Sequence, residues 1–79
     1  MTIRVLFFAY LRERCGREGR LELPEGASVG DALRLLRAQH PALAEASVRP
    51  ALNRVYVDNT HPLHENDELA LIPPVSGGS

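Results

Sequence analysis

Lysine is missing altogether. All nine basic residues of this 79-residue chain are arginine, so no side-chain amine is available to accept an acyl group. Cysteine occurs once, as Cys15, which excludes an internal disulfide and leaves His40, His61 and His64 without the cysteine set of a structural zinc site. No apolar run approaches the roughly 20 residues that span a bilayer as a helix. Neither sign of charge dominates, and a formal net charge of −1 gives no footprint for nucleic acid or an anionic membrane. Met1-Thr2-Ile3-Arg4 opens directly in a strand-like pattern and not in a signal peptide, so the expected compartment is the cytoplasm. A chain this short fits one domain and buries only roughly 60–65% of its unfolded surface, which leaves little room for a deep active-site cavity.

The residues that are present alternate between strand and helix signals. Ile3 to Ala9 is rich in β-branched and aromatic residues and reads as a strand, with Ile3, Val5 and Phe7 on one face and Arg4, Leu6 and Phe8 on the other. Two partly apolar faces place it inside a sheet. Leu11 to Cys15 reads as a short helical turn capped by Gly16, and Gly19 to Leu23 as a second strand. Ser28 with Asp31 three residues on resembles a capping box, and Val29, Ala32, Leu33 and Leu36 follow as one apolar helical stripe. His40-Pro41 stops that helix. After an irregular connection from Ala42 to Arg49, Ala51-Leu52-Asn53 and Val55-Tyr56-Val57 read as short strands. Asp58-Asn59-Thr60 and Glu65-Asn66-Asp67 read as turns, and Glu68 to Ile72 as the last strand, with Leu69 and Leu71 facing inward.

Strand, strand, helix and further short strands make an α+β arrangement, one main helix packed on a small mixed sheet. The β-grasp fold, which ubiquitin has, is the natural candidate. It places the first and last strands side by side and lets the C-terminal tail project. The division expected is a β-grasp domain over 1–72 and a flexible tail over 73–79.

That tail, Pro73-Pro74-Val75-Ser76-Gly77-Gly78-Ser79, is where chemistry could reside. Two prolines end the strand and favour an extended path. Extended, Pro73 to Gly78 reaches about 20 Å, at roughly 3.3–3.6 Å per residue. Glycine, with no Cβ, threads a narrow channel and offers an unhindered carbonyl to a nucleophile. Small terminal residues that are merely disordered, or a Ser-Gly-Gly-Ser linker, are the plain alternatives.

The tail does not stand alone. Val5-Leu6-Phe7-Phe8-Ala9 with Arg12-Glu13 and Gly16, then Ala51-Leu52-Asn53, His61-Pro62-Leu63 and Asp67-Glu68-Leu69-Ala70, and finally Pro73 to Gly78, resemble in order the small subunit of molybdopterin synthase, a ubiquitin-like sulfur carrier. The resemblance implies that an E1-like activating enzyme spends ATP to adenylate the C-terminal carboxylate of Gly78. A persulfide donor protein then leaves a thiocarboxylate there. The loaded tail enters the large subunit and gives its sulfur to a pyranopterin precursor of molybdenum cofactor. Gly77 and Gly78 are then the reacting segment. The chain itself binds no cofactor or metal and supplies no acid or base. Sequences of the family normally end at the second glycine. Here Ser79 follows, and a thiocarboxylate at Gly78 needs that glycine to be the last residue: either Ser79 is removed, or it is no part of the natural chain, or the chain is not charged.

The sheet face away from the helix is the expected docking surface. The resemblance points to Phe8, Leu63 and Ile72 as apolar contacts, to Pro73, Pro74, Val75 and Ser76 as tail contacts, and to Arg4 as a polar rim. Cys15 reads as a small apolar residue and not a nucleophile. His61-Pro62 reads as turn-forming, His40 as a helix end, and Glu65, Asp67 and Glu68 as a solvated turn lacking the pattern of a calcium loop. Two other readings share the fold. One is a related carrier for thiamin or tRNA thiolation, or a protein modifier. The other is an uncharged ubiquitin-like binding module. The helical insert from Leu11 to Gly16 speaks against the thiazole carriers, which resemble shorter chains.

Overall fold

The computed structural model describes residues 1–44 and 47–74. Five strands form one sheet in the order β2-β1-β5-β3-β4. β1 (Thr2–Phe7) lies inside it, antiparallel to β2 (Glu18–Glu22) and parallel to β5 (Glu68–Ile72). β3 (Arg49–Leu52) and β4 (Val55–Tyr56) form a hairpin that continues the sheet beyond β5. The first and last strands are therefore neighbours inside the sheet, with β2 at one edge and the β3–β4 hairpin at the other, as the β-grasp expectation required.

The alternation of β1 has a direct outcome. Ile3, Val5 and Phe7 are at most 2% exposed, whereas Arg4 is exposed and Leu6 and Phe8 are half-buried. From β5, Leu69 and Leu71 join the same inner layer with no exposed surface. The helix α2 (Val29–Gln39) covers that layer with Val29, Ala32, Leu33 and Leu36, all buried. Burying each of these valine and leucine side chains contributes about 1.5–3 kcal/mol, which is why the stripe fixes the helix to one sheet face. Its start is secured by the capping box: Asp31 N–H donates to Ser28 Oγ at 3.3 Å, and Ser28 N–H donates to Asp31 Oδ2 at 2.9 Å. His40, the C-cap, ends it and sets its ring edge-on to Phe7, with centroids 5.3 Å apart.

The small helix α1 (Tyr10–Cys15) plugs one end of the core with Leu11 and stops at Gly16, whose φ of 95° favours glycine. Several boundaries differ from the sequence reading: β1 runs from Thr2 and stops at Phe7, α1 starts at Tyr10, β4 stops at Tyr56, and the differences at β2, β3 and Asn53 have a visible cause. β2 starts and ends one residue early, because Phe7 N–H already donates to the Arg17 carbonyl at 3.0 Å. β3 starts at Arg49 and so includes Pro50; its missing donor is tolerated because β4 has ended where Val57 N–H meets the Pro50 carbonyl at 3.2 Å. Asn53 leaves the strand. With Arg54 it forms a two-residue turn in which both have positive φ, 50° and 74°, the combination whose twist matches a hairpin.

Candidate docking face and tail root

The sheet face away from α2 leaves apolar surface uncovered. Strand register sets Leu6 beside Ala70, Ala70 beside Ala51, and Ala51 beside Tyr56, a row running across four strands. Two alanines at the centre leave a hollow that the larger side chains wall. Leu6, Phe8, Ile72 and Tyr56 surround a depression of about 540 Å³ with Ala51 and Ala70 in its lining. Phe8 is placed there because its N–H continues the ladder to the Leu71 carbonyl at 3.3 Å, just beyond the end of β1. A second hollow of about 410 Å³ shares Leu6 and Phe8 and is bordered by Arg12 and Arg17.

Charged groups border these hollows. Arg4 pairs with Glu18 at 3.3 Å and with Glu68 at 3.8 Å, across its two neighbouring strands. Arg49 sets its guanidinium carbon 4.3 Å from the centre of the Tyr56 ring, and Arg12 lies 5.8 Å from that of Phe8.

The expected contacts divide. Phe8, Ile72 and Arg4 do meet at one depression. Leu63 does not. It is 3% exposed within the core, and its N–H donates to the Ala27 carbonyl at 3.0 Å in the loop leading into α2. Its apolar character serves packing, and the expectation that it is a surface anchor is corrected. Tyr56, 55% exposed, supplies the wall on the hairpin side. The sequence offered a signal for it: a large aromatic in a short strand at a sheet edge. What was missing was the register that sets it beside Ala51.

The tail leaves from the rim of this depression, since β5 places Ile72 in its wall and the chain continues directly into Pro73. Pro73 is buried and Pro74 exposed, so of the two prolines only Pro74 is open to a partner in the free chain. Val75, Ser76, Gly77, Gly78 and Ser79 lie outside the described residues.

The side chains set aside as catalysts have structural duties. Cys15 packs half-buried against the core, and burial pushes its thiol upward, away from the reactive thiolate. Glu65 accepts the Thr2 N–H at 2.9 Å, while Asp67 accepts the His64 N–H at 2.7 Å and the Asn53 amide at 3.0 Å. These carboxylates therefore tie the turn before β5 to β1 and to the hairpin. Among the described residues no cluster of His, Cys, Asp and Glu has the geometry of a metal site, and no helix is long and apolar enough to cross a membrane.

Comparison with known proteins adds lineage to this geometry. Residues 5–78 match the model of the ThiS family, a span that includes Gly77 and Gly78. The molybdopterin synthase sulfur carrier subunit of Chlamydomonas reinhardtii is 43% identical, the alignment covering 99% of this chain and 100% of the relative. Among solved structures, SAMP1 from Haloferax volcanii superposes with a TM-score of 0.88 at 34% identity, covering 99% of this chain and 100% of that one. A chain in the complex of subunits 1 and 2 of molybdopterin-converting factor from Helicobacter pylori superposes with a TM-score of 0.72 at 27% identity, covering 99% and 100%.

Proposed function

This chain belongs to the ThiS family, and from that premise we propose that it is the sulfur carrier subunit of a molybdopterin synthase. The observation that carries the reading is full-length likeness to such subunits together with Gly77-Gly78 inside the matched span. The sheet supplies a place to dock, and the tail rooted at its rim supplies the reacting group.

The chemistry follows from a C-terminal carboxylate. Once Ser79 has been removed, the Gly78 carboxylate attacks the α-phosphorus of ATP on an E1-like enzyme and releases pyrophosphate. The terminal sulfur of a persulfide donor displaces AMP. Cleavage of the resulting acyl disulfide by a thiol leaves the thiocarboxylate. In the large subunit that sulfur passes to the pyranopterin precursor, and hydrolysis restores the carboxylate. Each step takes place at Gly78, while the acids, bases and nucleotide sites belong to the partners. Glycine suits the task because an approaching sulfur meets no Cβ. The docked body holds the tail at high local concentration, so transfer needs no separate encounter. Phe8, Ile72 and Tyr56 are the apolar anchors of docking, and Pro74, Val75 and Ser76 lead the tail inward.

Reconstitution tests the reading. The chain ending at Gly78 and charged with sulfur should convert the precursor to molybdopterin when mixed with a large subunit, and deletion of Gly77-Gly78 should abolish conversion while leaving docking intact. Docking that proceeds with no sulfur transfer under charging conditions would favour a protein modifier or a plain binding module. The modifier reading has its own support in the likeness to SAMP1, a small archaeal modifier protein.

A further inference from the structure

The apolar depression is bordered by guanidinium groups that the chain's own carboxylates do not neutralise. Arg4 is paired within the chain, through Glu18 and Glu68. Among the described residues, Arg12, Arg17, Arg49 and Arg54 have no carboxylate within 4.0 Å. Arg54 lines the larger hollow from the β3–β4 turn, Arg49 lies on Tyr56, and Arg12 and Arg17 border the smaller hollow beside Phe8. The two linings together hold four arginines and two glutamates, an excess of two positive charges, and Arg49 on the Tyr56 ring stands beside them, on a chain whose formal net charge is −1.

We propose that the surface docking here is an apolar protein patch flanked by aspartates or glutamates, which meet Arg49 and Arg54 on the hairpin side and Arg12 and Arg17 on the side of Phe8. The proposal rests on the docking role given to this face above and names the chemistry of what docks. A partner that covers the apolar floor also strips water from the arginines at its edge. Without acids opposite them, those cations would be desolvated unpaired. Stacking on Tyr56 orders the Arg49 guanidinium, so its planar fork is set for two-point contact with a carboxylate. The apolar lining of Leu6, Ala51, Ala70 and Ile72 selects a folded protein over a phosphate polymer or anionic bilayer, either of which would answer the charge and leave the hydrocarbon uncovered.

Association of the full chain with the large molybdopterin synthase subunit of the same organism tests this. Rates are measured at about 0.05 M and about 1 M salt, the latter shortening the screening length to about 3 Å. The association rate should fall by about tenfold or more across that range. At low salt Arg49→Glu/Arg54→Glu should lose a further tenfold, roughly, and converge with the unmodified chain at high salt. Arg49→Gln/Arg54→Gln should lose part of that. Arg14→Glu/Arg34→Glu, the same change in net charge placed on the helices, should stay within about twofold of the unmodified chain. Thermal melting verifies that each variant is folded. Binding that ignores salt, or that both reversals weaken equally, overturns the proposal while leaving the docking role standing. No binding by the unmodified chain removes the docking role and the proposal together. Tighter salt-dependent binding to RNA or to anionic vesicles than to the large subunit also overturns it.

Discussion

Leu63→Ala and Tyr56→Ala should separate cleanly, one changing stability and the other changing docking. Leu63 is 3% exposed and belongs to the core cluster, on the segment whose backbone is tied to Ala27. Truncation removes its isobutyl contacts and leaves a cavity; leucine-to-alanine changes at such sites cost about 2–5 kcal/mol. Taking about 3 kcal/mol, and about 4–8 °C per kcal/mol for a domain of this size, the melting temperature should drop by roughly 12–24 °C. Tyr56 is 55% exposed at the sheet edge, where it stands opposite Ala51 and carries Arg49 on its ring. Its truncation should cost less than about 1 kcal/mol of stability. In the complex, loss of a wall of the depression should cost about 1–2 kcal/mol of binding, a 5- to 30-fold weaker Kd by the usual conversion. Thermal melts by circular dichroism and titration calorimetry against a large subunit give both quantities. A Leu63→Ala chain that melts normally yet binds poorly would refute the assignment, as would a Tyr56→Ala chain that unfolds early and binds normally.

Other perturbations follow from the same geometry. Ser28→Ala removes the acceptor of the capping box and should cost about 1 kcal/mol, seen as a melting temperature lower by about 4–8 °C. Asp31 is held below the usual carboxylate range by the Ser28 N–H first, and Asp58 by the Thr60 hydroxyl first. A depressed carboxylate contributes stability above its unfolded value and loses it as pH falls through its folded value. Stability should therefore decline on acidification below about pH 4, with a shallower decline in Asp31→Asn, as followed by urea titrations at a series of pH values. The raised thiol of Cys15 predicts alkylation by iodoacetamide slower than that of a free cysteine peptide at neutral pH, and Cys15→Ala should load sulfur normally. Loss of loading in that variant would make Cys15 a participant.

Most of the fold was legible because local signals and tertiary demands agree. The stripe on α2, the box at Ser28 and the alternation in β1 each state a period and a face, and burial follows them residue by residue. Asn66 was legible as a positive-φ turn residue and has φ 68°. Asn53-Arg54 was not, since arginine carries no turn signal and the tightness of the hairpin dictates its φ of 74°. The docking face was half legible. Phe8 and Ile72 flank the central strand pair, where alternation alone assigns the face. Leu63 sits in irregular chain, where no period assigns a side. Its burial is decided by the Ala27 hydrogen bond and by the bridge between Ser28 and Pro62, contacts spanning more than 30 residues. Tyr56 needed the register of a two-residue strand, which is set by β3 and β5 and not by its own neighbours.

The central claim, a sulfur carried at Gly78, is tested most directly by intact mass spectrometry of the untagged protein purified from its own cells. The expected species lacks Ser79 and carries one sulfur in place of one oxygen at the new terminus. A protein that always retains Ser79, or ends at Gly78 without sulfur even when its activating enzyme and ATP are supplied, would contradict the account and leave a ubiquitin-like domain whose sheet face binds partners without chemistry at the tail.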